Sequence, residues 1–429
     1  MDKIGVIEGF YGIPYSFDQR YDLIDFLSHI GMNAYIYAPK DDPYHNISWR
    51  EPYPKEELEK LAGLSNFAKD KKVDFIWAIH PGQNLIDFNK YEEELPLLLG
   101  KYKSLYDKGI RSFALCMDDV DRDKAYEQRD YHLRLVEDIL DFIKDFDNNE
   151  LFFVHPWYNE AWIDQKARGY FDKFNDLGRL RIMWTGADVV VPISKDANEK
   201  FIDLAKAEPE IWFNWPVNDY KRDEIFMEVF EFYDSSNINY RSLFSNPMNQ
   251  AELSKISIYQ LGEFLKDPHG YDPEKVFKKA LAYVDESVAG ELFILADSFF
   301  GSGVYKRTEN KKFVAEKDIK RAYELKDKFL MKEAIEKKLA AIDSYFDNYT
   351  NKNLHDEIRQ FLLSLSYLLL AIRERLDGND LKARSYYKKR EDFKVKVYKE
   401  DSNDQIELRK VKVSESLEEI YKNLEGKTL

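Results

Sequence analysis

Cysteine is almost missing from this 429-residue chain: Cys116 stands alone, so no intrachain disulfide can form. It lies within an apolar run, which marks it as a small core residue rather than a nucleophile. No stretch of about 18 apolar residues occurs, so no transmembrane helix is expected. The opening Met-Asp-Lys-Ile-Gly-Val-Ile-Glu has no basic segment leading into a long apolar one. No signal peptide is therefore expected, and the expected location is cytoplasmic. Excess positive charge is also lacking. The net charge is −15, which disfavours nucleic acid and anionic membrane as partners. The patterns GxxxxGK(S/T), HExxH, CxxC and GxSxG are all absent, which weakens phosphate-loop, zincin and serine-hydrolase readings. His80, Asp118, Asp119, His155 and Asp219 are the side chains that could gather a metal. No His-x-His spacing occurs, and both histidines precede proline, so neither metal nor cofactor is expected.

What the chain has in quantity is apolar and aromatic side chains: 44% hydrophobic residues, with 29 Tyr and 29 Phe. Strand-like runs recur at Lys3–Ile7, Ala34–Tyr37, Val73–Ile79, Ser112–Met117, Leu151–Val154, Arg181–Trp184, Ile211–Phe213 and Tyr240–Leu243. Helix-like stretches alternate with them. The first has a capping box at Ser16 and Gln19, apolar residues at helical spacing, and Gly31 as its stop. Leu61–Lys71, Tyr102–Lys108, Asp123–Asp145, Phe201–Ala207, Glu224–Tyr233 and Ala251–Leu265 continue the pattern. Eight such units predict an α/β chain whose residues 1–267 form a (β/α)8 TIM barrel. All seven tryptophans precede residue 268. Beyond it Lys, Glu, Leu and Tyr dominate, and Ile319–Phe346, Leu354–Arg375, Asp380–Lys399 and Ser414–Asn423 read as helices. Residues 268–429 are thus expected to form an α-helical bundle domain. Three roles stay open for it: docking on the barrel, forming a homodimer, or shaping a cleft.

Barrels carry their chemistry where strands end. The strand ends here are polar, aromatic and rich in Gly and Pro: Gly9-Phe10-Tyr11, Lys40-Asp41-Asp42, His80-Pro81-Gly82, Asp118-Asp119, Trp157-Tyr158, Asn214-Trp215 and Ser245-Asn246. Tryptophan on such a rim suits stacking against a sugar ring. The acid pair is the sharpest signal. Two adjacent carboxylates after a buried strand repel each other, and that cost is usually met for acid/base work. The alternative is a helix N-cap or loop acid pair.

Gly5-Val-Ile-Glu-Gly-Phe-Tyr-Gly12, Tyr35-Ile-Tyr-Ala-Pro-Lys-Asp-Asp-Pro-Tyr-His45, Trp49-Arg-Glu-Pro-Tyr-Pro54 and Met117-Asp-Asp119 resemble glycoside hydrolase family 84, the β-N-acetylglucosaminidases that include the O-GlcNAcases. So do Trp184-Thr-Gly186, Trp212-Phe-Asn-Trp-Pro-Val-Asn-Asp-Tyr220 and Asn246-Pro-Met248. These motifs run in order along the expected barrel. The resemblance implies a substrate that is an N-acetylglucosamine glycoside or glycoprotein, hydrolysed with retention through the substrate's own acetamido group. It implies that Asp118 orients the acetamido N–H and that Asp119 is the acid and base. It implies sugar contacts from Gly9, Lys40, Asn246 and Asp219, an acetamido brace from Asn214, a phenol donor from Tyr158 and a methyl-pocket wall from Trp212. Tyr158 sits in His-Pro-Trp-Tyr-Asn-Glu, which departs from the family's usual Pro-Thr-Glu-Tyr. The C-terminal part carries no resemblance. Two other readings stand beside this one: a sugar-binding protein without turnover, and an endo-acting hyaluronidase-type glycosidase.

Overall fold

The computed structural model describes residues 1–81, 86–175, 177–232, 240–309, 311–399, 402 and 404–425. Eight strands form a closed parallel barrel: β1 (Lys3–Glu8), β2 (Ala34–Tyr37), β3 (Asp74–Ile79), β4 (Ser112–Cys116), β5 (Leu151–Val154), β6 (Leu180–Trp184), β7 (Glu210–Phe213) and β8 (Ser242–Ser245). Each strand pairs with the next. β1 closes the ring on β8, with Lys3 opposite Ser242 and Val6 opposite Ser245. Alternate residues point inward and pack as one apolar plug that includes Ile7, Ile36, Ile76, Ala114, Phe152 and Phe244. Cys116 belongs to that plug, and burial pushes its thiol up, so it is a core residue.

Local signals account for the first helix. The Ser16 side chain accepts from the Gln19 N–H while the Gln19 side chain accepts from the Ser16 N–H, which starts the helix Phe17–His29. Gly31, at φ 78°, turns the chain out of it. Other helices run Lys55–Asp70, Tyr91–Asp107, Arg129–Phe142, Gln165–Phe171 and Lys195–Ala205.

The chain divides into two compact units: Met1–Val217 with Tyr233–Pro247, and Asn218–Phe232 with Met248–Leu429. The 267/268 boundary expected from composition follows barrel topology instead, counting the helix Ala251–Lys266 with the eighth strand. By compactness this helix groups with the second unit.

One element departs from the barrel pattern. The helix expected over Glu224–Tyr233 is absent through Phe232, and Tyr233 lies outside the described residues. Ile225, Phe226, Met227, Val229, Phe230 and Phe232 are all buried. Glu224, Glu228 and Glu231 stand at helical spacing, which suggests a helix, but Glu228 is buried with the apolar residues instead of facing water. The extended backbone finds its partners elsewhere in the second unit. Phe230 N–H donates to Gln260 Oε1 at 2.9 Å, Gln260 Nε2 donates to the Glu228 carbonyl at 3.0 Å, and Met227 N–H donates to the Phe299 carbonyl at 3.2 Å.

The second unit is otherwise mainly helical around one continuous apolar core. Its helices include Lys317–Glu324, Lys328–Asn348, Lys352–Leu376, Asp380–Lys389 and Glu415–Asn423. The helix expected over Ile319–Phe346 is two helices, because Lys326 turns left-handed (φ 54°) and Asp327 caps the second. The helix expected over Asp380–Lys399 stops at Lys389. Lys394–Tyr398 is a strand, β9, antiparallel to β10 (Ile406–Lys410). Lys-Val-Lys-Val-Tyr alternates with a period of two, the period of a strand rather than a helix. Among the described residues no helix is long and apolar enough to cross a membrane.

Candidate active site

The ends of β1, β2, β4, β5, β7 and β8 bring most of the expected site residues together. Lys40 follows β2 and is 2% exposed; Asp118 follows β4 and is 5% exposed. The Lys40 ammonium donates to Asp118 Oδ2. The other oxygen, Oδ1, is buried and accepts no hydrogen bond among the described residues. His80, at the end of β3, brings Nε2 to 3.5 Å from this oxygen and to 3.0 Å from the Asp118 carbonyl. Burial by itself would raise the Asp118 carboxyl. The Lys40 ammonium outweighs that and holds it below its ordinary value. Asp118 is thus an ionised carboxylate with one oxygen engaged and one able to accept.

Asp119 is built differently. Its backbone is left-handed, φ 56°, an uncommon state for a residue with a side chain. That turn separates its carboxylate from its neighbour's. Tyr11 donates to Oδ2 at 2.6 Å and Tyr158 to Oδ1 at 3.0 Å. Burial and then the nearby charges push both phenols well up, so both remain protonated donors. Asp119 is more exposed than Asp118. Two carboxylates one residue apart therefore have different partners, an ammonium for one and phenols for the other. Such a split suits two different roles.

The far wall comes from β7, β8 and β1. Trp212 Nε1 donates to Asn214 Oδ1 at 2.8 Å, and Asn246 Nδ2 donates to the same oxygen at 2.9 Å. Asn214 Nδ2 in turn donates to the Val189 carbonyl at 2.8 Å. Gly9 lies under the indole. A Cβ there would sit 2.3 Å from Trp212 Cζ2, so the backbone approaches the ring as only glycine allows. The Gly9 N–H faces Asn246 Oδ1 at 3.4 Å. The Lys40 ammonium lies 5.7 Å from the Trp212 ring centroid and 5.7 Å from that of Tyr11.

Gly9, Lys40, Asp118, Asp119, Tyr158, Trp212, Asn214 and Asn246 thus belong to one unit. Asp219, at the start of a short 3-10 turn Asp219–Lys221, belongs to the other. Tyr11 appeared in the sequence only as a strand-end residue with no role assigned, and His80 only as a strand-end residue weighed for a metal. No periodicity marks them, and position after a barrel strand was the one signal available. Among the described residues no group of three or more His, Cys, Asp or Glu side chains converges as a metal site.

Residues 4–297 match the family model described as beta-N-acetylglucosaminidase. The chain is 29% identical over 280 residues to the protein O-GlcNAcases of Rattus norvegicus and Mus musculus, a match covering 61% of this chain. It spans 30% of the length of those relatives. Among solved structures it is similar to CpGH84D, with a TM-score of 0.80 at 24% identity, covering 99% of this chain and 74% of that one. It is also similar to a Thermobaculum terrenum O-GlcNAc hydrolase mutant, with a TM-score of 0.79 at 22% identity, covering 98% and 93%. At these identities the structural likeness speaks for the fold.

Proposed function

Since this chain belongs to the β-N-acetylglucosaminidase family, glycoside hydrolase family 84, we propose that it is a retaining exo-β-N-acetylglucosaminidase, O-GlcNAcase-like in substrate, working by substrate assistance. The observation that carries this reading is the buried Asp118 Oδ1, which accepts no hydrogen bond among the described residues, beside an Oδ2 held by Lys40. An ionised oxygen in that state favours an incoming N–H donor, and a 2-acetamido group supplies one.

In the first step the acetamido oxygen attacks the anomeric carbon and the glycosidic C–O bond breaks. Asp118 accepts the acetamido N–H as positive charge develops on the forming oxazoline. Asp119 gives its proton to the leaving oxygen. In the second step Asp119 takes a proton from water, which adds at the anomeric carbon and reopens the oxazoline. Two inversions give retention. Consecutive aspartates suit this chemistry better than a protein nucleophile, which must stand across the ring from the acid. With sugar bound, Tyr158 donates to the acetamido oxygen in place of Asp119, and Asp119 holds its proton with Tyr11 beside it. Trp212 walls the acetamido methyl, and Asn214 braces that side. Gly9, Lys40 and Asn246 contact ring hydroxyls. The single buried cysteine suits a reducing compartment, and the cytoplasm is the proposed location.

The test is nitrophenol release from the β-N-acetylglucosaminide and from the plain β-glucoside. Wild type is expected to turn over only the former, and Asp118→Asn to lose about 100-fold or more in kcat. Equal turnover of the two glycosides would rule out assistance by the acetamido group. No turnover of either by folded protein would leave a sugar-binding protein.

A further inference from the structure

Asp119 is held in a left-handed backbone state that costs a non-glycine residue about 1–2 kcal/mol. Its φ is set by the plane of the preceding peptide, and the carbonyl of that peptide is Asp118 O. His80 Nε2 lies 3.0 Å from that oxygen. A carbonyl can only accept, so the His80 proton sits on Nε2. Its Nδ1 is buried and has no hydrogen-bond partner among the described residues. His80 is itself braced. Its backbone N–H donates to the His45 carbonyl at 2.9 Å, and His45 Nδ1 donates to the Ala78 carbonyl at 2.7 Å. The two imidazoles stack 6.2 Å apart. His45 ends the segment that begins with Lys40, so these bonds tie the β2 loop, the end of β3 and the acid pair into one frame.

We propose that His80 is a positioning residue for the hydrolysis inferred above: a neutral Nε2–H imidazole, braced by His45, that locks the Asp118–Asp119 peptide plane and so aims the Asp119 carboxyl at the leaving oxygen. The inference rests on that functional reading, and it names a residue to which neither the motif resemblance nor the reaction scheme gives a part. Burial, reinforced by the Lys40 ammonium, holds the His80 pKa below its ordinary value. Burial and then His80 do the same for His45. The titratable groups facing His80 are Lys40, Asp118, Asp119 and His45. A second cation beside Lys40 would compete with it for Asp118, so a neutral ring is what the site can use.

Two variants and two glycosides test this. His80→Phe keeps ring volume and loses the donor; His80→Gln keeps a donor at comparable reach. Phenyl β-N-acetylglucosaminide has a poor leaving group that needs the acid, whereas the dinitrophenyl glycoside does not. His80→Phe is expected to lose about 100-fold in kcat on the phenyl glycoside, the scale of a misplaced catalytic group. Its KM should change little, and its loss on the dinitrophenyl glycoside should be much smaller. His80→Gln should recover most of the rate. Equal losses on both glycosides, or a glutamine variant as impaired as the phenylalanine one, would reduce His80 to a packing residue and overturn the proposal. A readout independent of turnover is the His80 tautomer, from nitrogen-15 imidazole correlations on the intact protein. A neutral Nε2–H ring near pH 7 is expected, with any protonation displaced below that of a free histidine. An Nδ1–H or protonated ring would sink the proposal even if the glycosides were never turned over. An inactive wild type with the expected tautomer would instead count against the glycosidase reading.

Discussion

Carboxylates at the strand ends of the first compact unit and a set of carboxylates in the second are held in different ways. In the unit holding β1–β8, these acids end mainly on side chains, with one backbone N–H added at Glu8 and one at Asp42. Glu8 takes the Arg20 guanidinium and the Tyr35 hydroxyl, Asp42 takes the hydroxyls of Tyr37 and Tyr53, Asp118 takes Lys40, and Asp119 takes Tyr11 and Tyr158. In the second unit Glu252, Glu316 and Glu374 also meet lysines, but four other acids end on pairs of backbone amides. Glu228 accepts from the N–H groups of Gly301 and Ser302, Glu231 from Lys312 and Phe313, Asp285 from Thr350 and Asn351, and Glu357 from Glu252 and Leu253. A carboxylate bonded to two successive amides fastens one stretch of chain to another and has little else to give. One bonded to an ammonium or a phenol keeps an oxygen, or a displaceable donor, for a substrate. Glu8 has both oxygens filled by Arg20, Tyr35 and the Tyr15 N–H, whereas the partners of Asp118 and Asp119 leave room for chemistry.

Substitutions can break that contrast. The largest effect is expected at Asp119. Asp119→Asn should lose about 10²–10⁴-fold in kcat/KM on unactivated glycosides, the usual share of a general acid and base. Its urea midpoint should hardly move, since tyrosine hydroxyls can donate to an amide oxygen as well. A variant that unfolded early while keeping its rate would place Asp119 with the fastening acids instead. Glu228→Ala should do the reverse. Glu228 is fully buried and also accepts from Ser302 Oγ at 2.6 Å, so its loss strands two amides and a hydroxyl. About 2–3 kcal/mol should go from the unfolding free energy, with kcat/KM of the folded protein unchanged. An unaltered urea midpoint would show that the amides find other partners. The smallest effect is expected from Tyr11→Phe, which removes one of the two phenols on Asp119. About 1 kcal/mol of transition-state stabilisation, or roughly fivefold in kcat/KM, should be lost, without a change in thermal midpoint. A loss as deep as that of Asp119→Asn would mean that Tyr11 itself handles the proton.

Much of this was legible in the chain because it depends on neighbours in sequence. The strand-like runs of β1–β8, the Ser16–Gln19 capping box and the acid pair after β4 involve residues within a few positions of one another, and each appears in the structure close to where its pattern predicts. The misses share a cause. Glu224–Phe232 looks like a helix locally, yet Phe230 is satisfied by Gln260, 30 residues later. Asp380–Lys399 reads as one helix until the second strand of the hairpin, β10, is found to pair with its final residues. The site divides along the same line. That two acids would meet a lysine and a tryptophan at barrel strand ends follows from the order of strands and their motifs. Which oxygen Lys40 takes, from 78 positions earlier in the chain, and which is left without a hydrogen bond among the described residues, does not. Nor does the left-handed turn at Asp119, where His80 meets the Asp118 carbonyl from 38 residues away. Sequence alone determined the repeat of strand and helix and the residues offered at each strand end, because pleat, helix turn and capping are short-range. Only the tertiary structure decided the partner and orientation of each buried charge, because these are set by groups brought together when the barrel closes.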